Sequence, residues 1–421
     1  MSEFDVNVQR LLGDLKKLAT FSSTKLTAPP DDTWTEVTRL VYSEEDMAAR
    51  DYFAGLCGAV DLAVDVDPIG NMFARWLGED RDLPPIATGS HIDAIPHAGM
   101  YDGTLGVLGG LEAIRSLKES GFRPTRGIDL VLITSEEPTR FGIGCLGSRA
   151  MAGTLSAEAM SKLHDADGVT LDQARQFAGF SGPLESIAVD STRFAAWIEL
   201  HIEQGRILED HQTDIGVVTA IAAPATMQVV VEGQGGHAGG VMMADRHDAM
   251  MAAAELMLKI ESTVRESERG DLVATIGTVD VHPGAVNSIP AKVSFSIDIR
   301  DIDLGSRDAA MEIIQEVARQ IESTRGVRIL VETITADPPA LCDSKIVDAV
   351  VESAQEGGYS HRRMVSRAYH DSLFMAGIVP MGMIFVPCRG GVSHRPDEYS
   401  TPEQIQAGIE VLASTLARLS L

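Results

Sequence analysis

Two hydrophobic periods alternate along the chain, and their switches predict its elements. Val6, Val8, Leu11, Leu12, Leu15 and Leu18 recur at helical spacing and predict an amphipathic helix over 5–20. The polar, proline-containing stretch 22–35 reads as a loop, and a second helix is predicted over 43–56, with Ser43 as N-cap and acidic residues in its first turn. Short strands at 62–67 and 71–76 flank a Pro-Ile-Gly turn. The run 128–134 is nearly all apolar, as expected of a central parallel strand covered on both faces. Similar runs at 84–87, 194–200 and 380–386 predict further strands, while Leu105, Val107, Leu108, Leu111, Ile114 and Leu117 predict a helix after the first of them. Helices are also predicted over 344–356, after Asp371 and from about Pro402, and residues 151–193 are helical only in tendency.

Between these α/β segments the character changes. Strands at 226–232, 272–281, 292–300 and 327–334 alternate with helices at 245–265 and 307–324 in the order β-α-β-β-α-β. In the third strand Val293, Phe295, Ile297 and Ile299 alternate with polar neighbours. The expected fold is therefore α/β. A domain with a mixed, mostly parallel sheet spans 1–214 and 334–421, broken by an inserted ferredoxin-like domain over 215–333.

Composition narrows the function. A chain of 421 residues exceeds what one core usually serves, and 44% hydrophobic with 23% charged residues suits an ordinary soluble protein. The net charge of −26 argues against nucleic acid or an anionic membrane as partner. Cys57, Cys145, Cys342 and Cys388 are far apart and form no CxxC pair, which suits a reducing compartment. No basic-then-apolar signal opens the sequence and no run of about 18 apolar residues occurs, so a cytoplasmic protein is expected.

The chemistry is expected on loops that follow the predicted parallel strands. The stretch 88–106 holds His91, Asp93 and Asp102, with Gly89, Gly99 and Gly103 to let the backbone turn. Glu136 and Glu137 follow the apolar run at 128–134, His201 follows that at 194–200, and His394 follows that at 380–386. Open sheets gather such loops on one edge. Five candidate ligands, His91, Asp102, Glu137, His201 and His394, then point to metal, with Asp102 as the carboxylate able to bridge two cations about 3.5–4 Å apart. Imidazole mixed with carboxylate suits zinc, manganese, cobalt or nickel. Asp93 can orient the His91 imidazole from behind. Of the Glu136–Glu137 pair, one is expected to be a ligand and the other a base for water activated by the metal.

The motifs resemble the M20 family of dinuclear metallohydrolases, in its amidase and carbamoylase branch: G-S-H-I-D from 89, Y-D-G from 101, S-E-E from 135, H-I-E-Q-G from 201, G-G-H-A-G from 235, N-S-I-P from 287, D-I-R from 298, H-D-S from 370 and S-H from 393. Within that branch, E-E-P-T-R-F from 136 and Y-H-D-S from 369 resemble the ureidoglycolate-cleaving members most closely, with hydrolysis of allantoate or of an N-carbamoyl amino acid as the alternative readings. The resemblance implies two divalent cations per chain, manganese or zinc. One would lie on His91 and His201 and the other on Glu137 and His394, with Asp102 bridging and Glu136 as general base. It implies that the inserted domain is a lid that forms a homodimer, that His237 reaches the partner chain's site to polarise the scissile carbonyl, and that Asn287 and Arg300 hold a substrate carboxylate. Gln204 and the backbone of Gly390 and Gly391 are further expected contacts to a small ureido acid, and His370 and Asp371 match a family motif in a supporting or a direct role.

Overall fold

The computed structural model describes residues 4–25, 31–267 and 272–421. Of the loop expected over 22–35, residues 26–30 lie outside the described residues. The chain divides into two compact units, Met1–Thr219 with Leu341–Leu421, and Ala220–Ala340. No helix among the described residues is long and apolar enough to cross a membrane.

Four parallel strands form the centre of the first unit. In spatial order they are Met381–Val386, Ala196–Ile202, Ile86–His91 and Ile128–Ile133, and every residue in them is buried. Strands Met72–Trp76 and Ala63–Val66 extend one side and Ile215–Ile221 the other, all antiparallel, so the sheet is mixed around a parallel core. Ile215–Ile221 pairs with Met381–Val386, which carries the first unit past residue 214, the boundary expected from the sequence.

Helix Thr104–Glu119 follows Ile86–His91 and approaches the sheet closely: a Cβ at Gly106 would stand 2.4 Å from the Leu200 carbonyl oxygen. Helix Pro402–Ser420 starts from a capping box between Thr401 and Gln404 with proline in its first turn. Both bury their apolar residues in one core with helix Val8–Ala19 and the strand interiors. One expectation is corrected. The polar stretch after Ala87 does not begin a loop: Thr88, Gly89, Ser90 and His91 complete the strand, and a further short strand, Ala94–Ala98, pairs with Val37–Arg39.

The second unit has the expected β-α-β-β-α-β order. Its four antiparallel strands lie in the order Val273–His282, Lys292–Asp301, Ala223–Glu232, Arg328–Ala336. Val293, Phe295, Ile297 and Ile299 are buried while their neighbours are not, so one face meets helices Ala249–Arg265 and Leu304–Arg325 through Leu256, Ile260, Ile314 and Ile321.

Candidate metal centre

The four parallel strands end at one edge, and that edge carries the candidate ligands. His91 is the last residue of its strand and His201 the penultimate residue of its own. Glu136 and Glu137 follow Ile128–Ile133, His394 lies beyond Met381–Val386, and Asp102 precedes helix Thr104–Glu119. Asp102 Oδ1 stands 3.2 Å from His201 Nε2 and 3.6 Å from His91 Nε2. Its Oδ2 faces the other way, 3.1 Å from His394 Nε2, which is 3.3 Å from Glu137 Oε1. Two groups able to hold a cation result, His91–Asp102–His201 and Asp102–Glu137–His394, each with its donor atoms within 4.8 Å of one another.

The donors fit metal. His91 Nδ1 lies 3.1 Å from the Asp93 carbonyl oxygen and His201 Nδ1 2.9 Å from that of Ile202. An Nδ1–H spent on a carbonyl fixes the ring and leaves Nε2, here turned to Asp102, as the ligating atom. A third cluster, Glu199–His201–His370, has the spacing of a site but serves as a support. Glu199 accepts Ser90 Oγ at 2.7 Å and Ser372 Oγ at 2.5 Å, and His370 packs edge-on against His201 with ring centroids 4.5 Å apart.

Electrostatics follow from placing acids and imidazoles together out of water. Burial opposes the charged form of Asp102, but contacts from His201, His394 and His91 hold its pKa well below the usual range. Asp102 and Glu137 together push His394 up to about 11. Burial opposes charge on His91 and His201 as well, yet Asp102 raises both. Glu136 is raised well above an ordinary carboxylate by burial, reinforced by the charges of Glu137, Asp371 and Asp102. Its Oε2 lies 3.8 Å from His91 Nε2, and its Oε1 is 3.5 Å from the Cys145 thiol, which donates to it. Burial and the Glu199 charge push Asp371 up to about 8.

Asp93 meets His91 Nδ1 through its carbonyl at 3.1 Å, with its carboxylate at 3.6 Å, and that carboxylate also accepts the backbone N–H groups of Glu136 at 3.2 Å and Glu137 at 3.1 Å. It therefore ties the Glu136–Glu137 segment to the His91 strand. Asp371 accepts Ser148 Oγ at 2.5 Å and His370 Nε2 meets Ser366 Oγ at 3.0 Å. Gln204 donates from Nε2 to Asp102 Oδ2 at 2.8 Å and to Ser393 Oγ at 3.2 Å. The N–H groups of Gly390 and Gly391, expected to face a substrate, are bonded to Glu209 at 2.8 Å and to the Cys388 carbonyl at 2.9 Å.

His237, Asn287 and Arg300 belong to the second unit. His237 is exposed, and the short strand Gly236–His237 pairs with Ser288–Ile289 while Ala238 N–H bonds the Asn287 carbonyl at 3.0 Å, which keeps His237 and Asn287 neighbours. Arg300 is half-buried and bonded to Asp298 at 2.7 and 3.1 Å.

Reading the sequence missed Cys145, Glu199, Ser393 and Glu398. Ser393 and Glu398 share the polar loop of His394, but nothing in their spacing tells which acid there turns inward.

Residues 87–418 match peptidase family M20/M25/M40. Ureidoglycolate hydrolase of Arabidopsis thaliana is 49% identical over all of this chain and 88% of its own length. N-carbamoyl-L-amino acid amidohydrolase of Geobacillus stearothermophilus is 38% identical over 91% of this chain and 93% of its own. The crystal structure of AtUAH in complex with glyoxylate superposes with a TM-score of 0.91 at 48% identity, covering 99% of each chain. A family match over most of the chain and full-length relatives lead to one conclusion: the chain belongs to peptidase family M20/M25/M40.

Proposed function

We propose that this protein is a metal-dependent amidohydrolase that cleaves a linear ureido C–N bond, with ureidoglycolate as substrate. The observation that carries the chemistry is Asp102, whose two oxygens face two separate sets of donors, the imidazoles of His91 and His201 on one side and His394 with Glu137 on the other. The substrate rests on the 49% identity to ureidoglycolate hydrolase. Two divalent cations, manganese before zinc, would supply Lewis acidity that polarises the ureido carbonyl and acidifies water. In this reading His91 and His201 would hold one cation, Glu137 and His394 the other, and Asp102 would serve both.

Glu136 takes a proton from the attacking water and returns it to the leaving nitrogen. Its burial, which raises its proton affinity, suits holding a proton between those events. Water adds to the ureido carbonyl and the terminal C–N bond breaks. Ammonia leaves, the carbamate loses carbon dioxide, and the hydroxyglycine so formed eliminates a second ammonia to give glyoxylate. Gln204 Oε1, buried without a hydrogen-bond partner among the described residues, is the proposed acceptor for a ureido N–H. From the second unit, Arg300 and Asn287 would grip the substrate carboxylate through charge-assisted bonds. His237 of the partner subunit would polarise the carbonyl in a cytoplasmic homodimer.

Ammonia release from a panel of ureido acids, with manganese restored, tests this. Ureidoglycolate should give the highest kcat/KM. Faster turnover of allantoate or of an N-carbamoyl amino acid refutes the substrate and leaves the amidohydrolase, and no ammonia from any of them refutes both.

A further inference from the structure

We propose that Glu398 is a positioning residue of the metal centre, a buried carboxylate that locks the loop carrying Asp102 to the loop carrying His394. The proposal rests on the reading of Asp102 and His394 as cation ligands. Glu398 is only 1% exposed. Its Oε1 accepts two successive backbone N–H groups, Tyr101 at 2.8 Å and Asp102 at 2.9 Å, a concave cradle of the kind that holds anions. Its Oε2 accepts Ser393 Oγ at 2.9 Å. One side chain thus joins segments almost 300 residues apart, each next to or containing a ligand. The loop is built for this approach: a Cβ at Gly99 would stand 2.5 Å from Glu398 Cβ and 2.6 Å from its Oε1.

Ser393 extends the lock. Its oxygen lies 2.9 Å from Glu398 Oε2 and 2.8 Å from Asp102 Oδ2, so one hydroxyl proton faces two carboxylates. A hydroxyl gives its hydrogen to one acceptor at a time. Positive charge beside Asp102 Oδ2 satisfies that oxygen and leaves the Ser393 proton to Glu398, which closes the link between the loops.

The two cation groups depend on this lock unequally. His91 and His201 stand on buried strands and are fixed by the sheet ladder. His394 stands on a loop, at φ 60°, with 47% of its side chain exposed. Loss of Glu398 should therefore weaken the cation on Glu137 and His394 far more than the one on His91 and His201.

The test is titration of the chelator-stripped full-length chain with Mn2+, followed by calorimetry and by the spin resonance of free Mn2+. Wild type should take up two ions. Glu398→Leu, which keeps volume and removes both acceptors, should weaken one of them by about 10–100-fold, the usual effect of removing a partner behind the ligands, and leave the other within a few-fold. Glu398→Gln keeps an oxygen for the two N–H groups and an amide that reaches Ser393, and should restore most of the loss. Equal affinities in Glu398→Leu and Glu398→Gln mean that the residue only fills space, and two unweakened ions in Glu398→Leu mean that it positions nothing. Either result overturns the proposal. Should Glu398→Leu fail to fold, Ser393→Ala removes the link to the His394 loop alone and must weaken the same ion, and unchanged binding overturns the lock. Fewer than two ions in wild type defeats the two-cation reading itself and the proposal with it.

Discussion

Replacing Gly103 by alanine should cost the protein a cation, and the cause lies in one missing atom. Gly103 sits at φ 63°, ψ −46°, and the Thr104 N–H bonds the Asp102 carbonyl across it at 2.6 Å, a γ-turn of the rare hand. A Cβ there would stand 2.3 Å from His91 Nε2 and 2.4 Å from both neighbouring ring carbons. Two costs follow. The backbone leaves a region nearly closed to alanine or stays there at about 1–3 kcal/mol. The His91 ring, held at Nδ1 by the Asp93 carbonyl, must also turn away from Asp102, which removes one donor from the His91–Asp102–His201 group. Losing a partner behind a ligand weakens metal binding about 10–100-fold. Losing the ligand should cost at least the upper end, about 2.8 kcal/mol at 1.4 kcal/mol per tenfold. The control is Gly121→Ala, at φ +81° with nothing within 4 Å of the added atom, which carries backbone strain alone. In chelator both variants should unfold several degrees below wild type, whereas Mn2+ titration should show weakened binding only in Gly103→Ala. Wild-type affinity in Gly103→Ala would refute the assignment of His91 as a ligand in this geometry. Equal loss in Gly121→Ala would trace the effect to strain at large.

Two further outcomes bear on the mechanism. Glu136→Gln should keep both cations and lose about 10²–10⁴-fold in kcat, the range for a general base, and activity within a few-fold of wild type assigns the proton transfer elsewhere. Mixing His237→Ala chains with Glu136→Gln chains should partly recover activity, because each heterodimer then holds one site with both residues intact. No recovery after verified subunit exchange means that His237 serves its own chain.

How far the sequence carries depends on whether side chains answer to solvent or to one another. The strand Lys292–Asp301 has one covered face, so its alternation was readable, and Ile128–Ile133 is apolar throughout because both faces are covered. The strand Ile86–His91 is equally buried but spends its last four residues on Thr88, Gly89, Ser90 and His91. Their polarity reads as a loop. In the fold it is answered by distant groups: Glu199 accepts Ser90 Oγ, and Asp102 and the Asp93 carbonyl meet His91. A strand that ends in a polar network leaves no periodic trace. The candidate ligands are visible because metal chemistry restricts ligands to a few residue types, whereas Glu199 and Glu398 form hydrogen bonds to partners 109 and nearly 300 residues away. Residues 215–219 read as part of the insertion, yet they belong with the first unit, because pairing with Met381–Val386 leaves no trace in composition.

The same separation explains why the backbone turns hard wherever the chemistry is. Ser135, Cys145, Gln204 and His394 all have φ between 55° and 60°, a region that residues other than glycine rarely occupy. Ser135 precedes the proposed base, Cys145 donates to it, Gln204 bonds Asp102, and His394 is a candidate ligand. Parallel strands leave the sheet side by side, so a carboxylate or imidazole just past each strand reaches a common point only if the chain reverses within a residue or two. Each such residue costs about 1–3 kcal/mol and persists only where its surroundings over-determine it. Here the surroundings are buried acids. Asp93 holds the segment after Ser135 by two N–H groups, and Glu398 holds Asp102 by two N–H groups and the His394 loop through Ser393. Neutral acceptors would form the same bonds more weakly, since a charged acceptor about doubles their strength. Burial raises the proton affinity of Glu136 and Glu137, and repulsion from neighbouring acids, Asp102 among them, adds to it. Positive charge between the loops relieves that repulsion, so the acids that fix the backbone also favour cations in the site.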